Sequence, residues 1–208
     1  NPEYTYSVPK IQMVSGIFDI MSHLCEQYFS GEDDNTTDYL IEAVMKSLIK
    51  SSRIAINNPT DYEARSNIMW CATMGLNKML GLSKTQDWEV HMIEHQVGAY
   101  TDCAHGIGLA IISPAYYRHI YRDGLHKFVR YAKQVWGVED HGQGDDAIAL
   151  EGINRLEAFI KELGIPTTLR EVGTTEEMLP LIAESTILGG GYKQLTAEDV
   201  LHIVKACY

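Results

Sequence analysis

The chain has 208 residues, with 17 Lys and Arg against 28 Asp and Glu, for a formal charge of −11. Hydrophobic residues make up 45% and charged residues 22%, which is the composition of a folded globular domain long enough to bury a core. The acidic excess, with no local basic cluster to offset it, excludes non-specific binding to nucleic acid or anionic membrane. No run of about eighteen apolar residues is present that could span a bilayer.

The opening NPEYTYSVPK reads as an extended, proline-punctuated lead-in, without the charged and apolar regions of a signal peptide. From Lys10 to Phe29 the apolar residues Ile11, Val14, Ile17, Phe18, Met21, Leu24, Cys25 and Tyr28 recur at three and four, the period of an amphipathic helix. Ser30-Gly31 and the acidic run Glu32 to Asp34, expected to be a solvated loop, end it. Thr36 or Thr37 can cap a second helix that carries Leu40, Ile41, Val44, Met45, Leu48 and Ile49 and stops near Asn57-Asn58-Pro59. A third starts after Thr60, with Asp61 and Glu63 in its first turn to complement the helix dipole, and runs to Gly81. Met69, Trp70, Met74 and Met79 lie along it at helical spacing and are expected in the core.

Helix four is predicted over Trp88 to Tyr100, and a turn over Thr101 to Ala104 leads into a fifth from His105 to Tyr121. Further helices are predicted over Leu125 to Trp136, Asp145 to Leu163, Thr175 to Glu184 and Ala197 to Ala206. The last carries Thr196 and Asp199 as a capping box. Period-two alternation, hairpin turns, repeats and low-complexity linkers are all missing. The expected architecture is therefore all-α: one helical-bundle domain of about nine helices over 1–208. Cys25, Cys71, Cys103 and Cys207 are too scattered for a disulfide framework or a CxxC metal clip, so a reducing cytoplasm is the expected location. The chain does not begin with Met, as a piece of a longer protein would not.

The chemistry concentrates in a few polar residues. Asp19 and His23 are four apart on the first helix, His91 and His95 are four apart on the fourth, and His105 follows at the start of the fifth. Residues at i and i+4 share a helix face, so one helix can offer a carboxylate and an imidazole to a single point and another can offer two imidazoles. Each pair alone is more often a solvated or hydrogen-bonded surface pair. The neighbours weigh against that: Asp19 and His23 sit in IFDIMSHL, and His105 precedes Gly106, Gly108 and the apolar stretch Leu109 to Ile112. An unpaired buried carboxylate is costly, and one shared cation accounts for three such exceptions together.

The segments VSGIFDIMSHLCEQY, NIMWCATMGLNKMLG and DWEVHMIEHQVGAYTDCAHGIGLAIISPAYY resemble the C-terminal metal-binding domain of iron-containing alcohol dehydrogenases, in the butanol-dehydrogenase-like branch. GIPTTLREVG and LTAEDVLHIVKACY extend the likeness more weakly towards the end of the chain. The resemblance implies the all-helical half of the dehydroquinate-synthase-like fold. It implies Asp19, His23, His91 and His105 as metal ligands, with the spacing of fourteen between the last two kept, and His95 as a further active-site histidine. One carboxylate and three imidazoles suit Fe(II), Zn(II), Co(II) or Ni(II); the resemblance favours Fe(II), with Zn(II) as a substitute. It further implies NAD(P)-linked oxidation of primary alcohols or reduction of aldehydes such as butanol's, with the metal polarising the substrate oxygen. His95 then either relays the hydroxyl proton or shapes the pocket wall.

The family's N-terminal half, with its glycine-rich pyrophosphate loop, has no counterpart here. Gly106-Ile107-Gly108 lacks the third small residue and the preceding strand of a dinucleotide fingerprint. The chain is expected to correspond to the C-terminal domain alone, inactive by itself, with the missing N-terminal domain as its partner and a homodimer in the complete enzyme. Two other classes compete. His91-Met92-Ile93-Glu94-His95 fits the H-x-x-E-H zinc-peptidase motif, with Glu94 activating water and Glu171 as a downstream ligand, but it leaves Asp19, His23 and His105 without roles. An HD-type phosphohydrolase needs a His-Asp dipeptide, which does not occur. A non-catalytic helical interaction domain is the third reading. Glu26 and Gln27 either hold ligand rings by hydrogen bonds or are simply solvated; Cys103 is placed to approach the site without being a ligand, Trp88 to cap or pack at a helix start, and His119, His126, His141 and His202 to lie on the surface or behind the ligands.

Overall fold

Helix α1 (Lys10–Tyr28) buries side chains on nearly every side from Met13 to Tyr28, and α5 (His105–Ile120) does the same from Gly106 onward. A helix covered on nearly every side belongs in the centre of a fold, and these two pack on each other there. This computed structural model describes residues 1–31, 35–82, 84–189 and 191–208; the acidic run Glu32 to Asp34 lies outside the described residues. Around the central pair stand α2 (Thr36–Ala55), α3 (Tyr62–Leu76), α4 (Glu89–Thr101), α6 (Leu125–Trp136), α7 (Asp145–Leu163), α8 (Met178–Ser185) and α9 (Ala197–Ala206). Among the described residues there are nine α-helices and no strand, and no helix is long and apolar enough to cross a membrane.

Two glycines bring the helices of the site together. A Cβ on Gly106 would meet the Ser15 carbonyl oxygen of α1 at 1.9 Å, and one on Gly108 would meet Glu94 of α4 at 2.7 Å. The first turn of α5 is thus pressed against both helices, which carries His105 up to Asp19. These glycines serve close packing, not a phosphate loop. Asp102, left-handed at φ 56°, ends α4 and turns the chain back into α5 as an αα-hairpin.

Local chemistry explains the departures from the predicted elements. The lead-in is a 3-10 turn over Pro2–Thr5, capped by Asn1, rather than extended chain. Asn35, not Thr36 or Thr37, caps α2 by accepting from the amides of Thr37 and Asp38. Helix α3 ends at Leu76 instead of Gly81, because the Asn77 side chain accepts from the amide of Met79 and Lys78 turns left-handed at φ 72°. Helix α8 begins three residues later than expected, and a 3-10 turn over Leu169–Val172 precedes it. The core assignment on α3 is also corrected. Trp70 is 65% exposed and Met69 and Met79 are exposed as well, leaving only Met74 packed against the core. Helix α3 instead buries Ala64, Arg65, Cys71 and Gly75, and the Arg65 guanidinium is held by Thr5. The capping box of Thr196 and Asp199 on α9 is present as predicted.

Candidate metal centre

Asp19 and His23 project from α1, His91 from the first turn of α4, and His105 from the first residue of α5. The fold brings all four together. Asp19 Oδ1 lies 3.6 Å from His23 Nε2, 3.7 Å from His91 Nε2 and 3.6 Å from His105 Nε2. Asp19, His91 and His105 each offer an atom within 4.8 Å of the other two. These separations are too long for hydrogen bonds, but a regular tetrahedron with bonds of about 2.1 Å has edges of roughly 3.4 Å. Asp19 Oδ1 and His91 Nε2 are both buried and lack any hydrogen-bond partner among the described residues. Two orphaned polar atoms aimed at one point are what a divalent ion would satisfy, so the residues fit the group.

Behind the rings stand carboxylates. The Nδ1 of His91 donates to Glu26 Oε1 at 2.5 Å, and Glu26 is anchored by the Ser22 hydroxyl and the Val90 amide. The Nδ1 of His105 donates to Glu94. Both acids are buried. A carboxylate at Nδ1 fixes ring orientation and leaves Nε2 as the free donor atom. Gln27, by contrast, donates to the carbonyls of His23 and Gly75 rather than to a ring.

The electrostatics follow from this crowding. Burial works against the charge on Asp19, but the His91 ring and the positive fields of His23 and His105 outweigh it and hold the carboxyl below its ordinary value. Burial opposes protonation of His91 too, yet Asp19 and Glu26 carry it up to about 9. Glu94 raises His105, whereas for His23 burial prevails and lowers it. The site is a carboxylate ringed by imidazoles, with Asp19 and His105 partly exposed.

A family model for the C-terminal part of the Fe-containing alcohol dehydrogenase family matches residues 13–208. The chain belongs to the iron-containing alcohol dehydrogenase family. It is 41% identical to NADH-dependent butanol dehydrogenase A of Clostridium acetobutylicum, over all of this chain and 55% of that protein. It is 32% identical to an NADPH-dependent aldehyde reductase of Escherichia coli, over 88% of this chain and 47% of that one. The structure of butanol dehydrogenase A from Thermotoga maritima superposes with a TM-score of 0.93 at 33% identity, covering all of this chain and 55% of the other. The chain thus spans about half the length of the curated relatives it matches.

Within this family member, the other singled-out residues fall as follows. His95 is exposed and stacks on His105, with ring centroids 5.6 Å apart. Glu94, His95 and His105 also come within 4.8 Å of one another, but Glu94 is committed to the Nδ1 of His105. That contact, with burial, removes Glu94 from the water-activating role of the peptidase reading. Glu171 caps the 3-10 turn by accepting from Thr167 and Thr168 on the surface, so it is no downstream ligand. Cys103 does approach the site, its Sγ 4.0 Å from Glu94. His119 pairs instead with Asp199 and Lys193 and faces His202, and His126 with Tyr192. The spacing of Asp19, His23 and Glu26 along one helix face was a readable sign of Glu26. Glu94 was noticed for the wrong chemistry, and nothing in the sequence marked the contact of Trp88 with two site rings.

Proposed function

We propose that this chain is the metal-binding half of an NAD(P)-linked dehydrogenase acting on primary alcohols or the corresponding aldehydes, butanol-like in size. In this reading Asp19, His23, His91 and His105 hold a single Fe(II) or Zn(II). The observation that carries it is the pair of orphaned atoms, Asp19 Oδ1 and His91 Nε2, inside a ring of imidazole nitrogens. Bound there, the metal supplies Lewis acidity towards an alcohol or carbonyl oxygen. Asp19 contributes the negative charge that offsets the cation, and Glu26 and Glu94 keep two imidazoles facing forward. His95, beside His105 and open to solvent, takes the hydroxyl proton on oxidation and returns it on reduction.

Hydride chemistry belongs to the nicotinamide, which a preceding domain binds in the complete polypeptide. The relatives' roughly double length supports that reading. The 208 residues then act as one domain, and the complete enzyme is a cytoplasmic homodimer. Metal analysis tests the ligand set. After loading with Zn(II), the protein should hold one ion per chain and the double variant Asp19→Ala, His105→Ala none; full stoichiometry in the variant overturns the assignment. Butanol turnover with NAD or NADP by the 208 residues alone would overturn the division into two halves.

A further inference from the structure

The three imidazoles around Asp19 are held in two different ways. Carboxylates grip two of them, Glu26 at His91 and Glu94 at His105. No carboxylate bonded to the Nδ1 of His23 is found among the described residues; Asp19 faces its Nε2 at 3.6 Å, and Glu26, bonded to His91, acts on His23 only through its field. Two aromatic rings lie against that of His23. His23 lies nearly flat on His91, with centroids 4.8 Å apart and planes 13° from parallel. The indole of Trp88 stands edge-on to both rings, 5.8 Å from His23 and 5.3 Å from His91.

Trp88 is itself fixed at both ends. Its Nε1 donates to Gln86 Oε1 at 2.8 Å, and Gln86 Nε2 donates to the Gly81 carbonyl at 3.2 Å. Its backbone, at the head of α4, is left-handed with φ 70°, a region that bulky residues rarely occupy. Strain of this kind persists where the surroundings over-determine it. Here the strained residue touches rings from two different helices.

We infer that Trp88 is a positioning residue: its indole orders the His23 imidazole, the ring that no carboxylate holds, and keeps His23 Nε2 turned towards Asp19. The consequence for metal affinity rests on the ligand set proposed above; the ordering of the ring does not. Trp88→Phe keeps an aromatic edge, while Trp88→Leu fills space without one, so the pair separates ring contact from bulk. Two readouts apply to the purified protein. One is the imidazole NMR spectrum of the metal-free form, with His23 assigned by His23→Gln. The other is Zn(II) affinity by chelator competition.

Trp88→Phe should stay within a few fold of wild type in affinity and keep the His23 signals shifted. Trp88→Leu should move the His23 signals to solvent-averaged positions, leave those of His105 in place, and weaken Zn(II) binding about tenfold to a hundredfold. Unchanged His23 signals and wild-type affinity in Trp88→Leu overturn the role. So does an equal collapse of spectral dispersion in both variants, which would mark Trp88 as plain packing. If wild type binds no Zn(II) while the His23 signals still respond to Trp88→Leu, the ligand set falls and the ring-ordering role stands.

Discussion

Two polar clusters lie inside this helical domain, and they are built on opposite rules. Around Asp38 on α2, both carboxylate oxygens accept from lysines, Lys84 and Lys127, with all three side chains buried. One turn on, Glu42 accepts from Arg130 and from the Tyr28 hydroxyl. Around Asp19, the neighbours stand 3.6–3.7 Å away, and two polar atoms have no partner among the described residues. The first cluster meets each charge with its opposite inside the chain; the second holds its polar atoms just beyond hydrogen-bond reach of one another. Buried charge alone does not mark a functional site. What sets the Asp19 cluster apart is that the described residues leave two of its polar atoms without a partner.

The sharpest way to break this comparison is to open the closed cluster. Asp38→Ala leaves two buried ammonium groups without the carboxylate they share, so unfolding in urea should show a loss of about 3–5 kcal/mol. Zn(II) stoichiometry of the folded fraction should not change. A loss below about 1 kcal/mol would mean that the Asp38 cluster is not the structural one.

Asp87 sits between the two cases. It is buried at the entry to α4, where it accepts from the Tyr116 hydroxyl and the Glu89 amide. Burial pushes its carboxyl up to about 7; the Tyr116 bond works against this, and the nearby negative Glu26 adds to it. An acid whose folded value lies above its unfolded one, about 3.9, stabilises the fold at low pH and loses that stability as pH rises through the folded value. Asp87→Asn removes the dependence. Between pH 5 and pH 8 the variant should gain on wild type by about 2–3 kcal/mol, some 1.4 kcal/mol for each of roughly two pH units. Urea titrations at the two pH values check this, and a constant difference between the proteins would show that Asp87 ionises normally.

The same contrast explains what the sequence could show. The convergence at Asp19 was legible because i and i+4 place Asp19 and His23 on one face whatever that face meets, and because His105 opens an apolar helix. The all-helical fold was legible from periodicity for the same local reason. Trp70 was misread because period alone shows that α3 has apolar residues, not which side the neighbours cover. Helix α3 stops early through the Asn77 turn, a side-chain bond that the apolar pattern does not register. Glu94 could be placed only once α4 and α5 were docked, since its partner His105 lies across the hairpin.

The smallest effect belongs to a closed cluster at the surface. On α9, Asp199 Oδ2 accepts from the Thr196 amide and hydroxyl as a cap, while Oδ1 accepts from Lys193 and lies 2.8 Å from His119 Nε2. Burial pushes its carboxyl up, but the bonds to Thr196 together with those to Lys193 and His119 prevail and hold it well below the usual range. A depressed acid stabilises above its unfolded value of about 3.9 and loses that contribution as pH falls through the folded one. Asp199→Ala should therefore cost about 1 kcal/mol near pH 7, the worth of a cap with a solvent-screened ion pair. Below about pH 3 the cost should shrink. Urea unfolding at neutral and acid pH measures both. A cost near that of Asp38→Ala would show that completing the pairs, rather than burying them, sets the energy of these clusters.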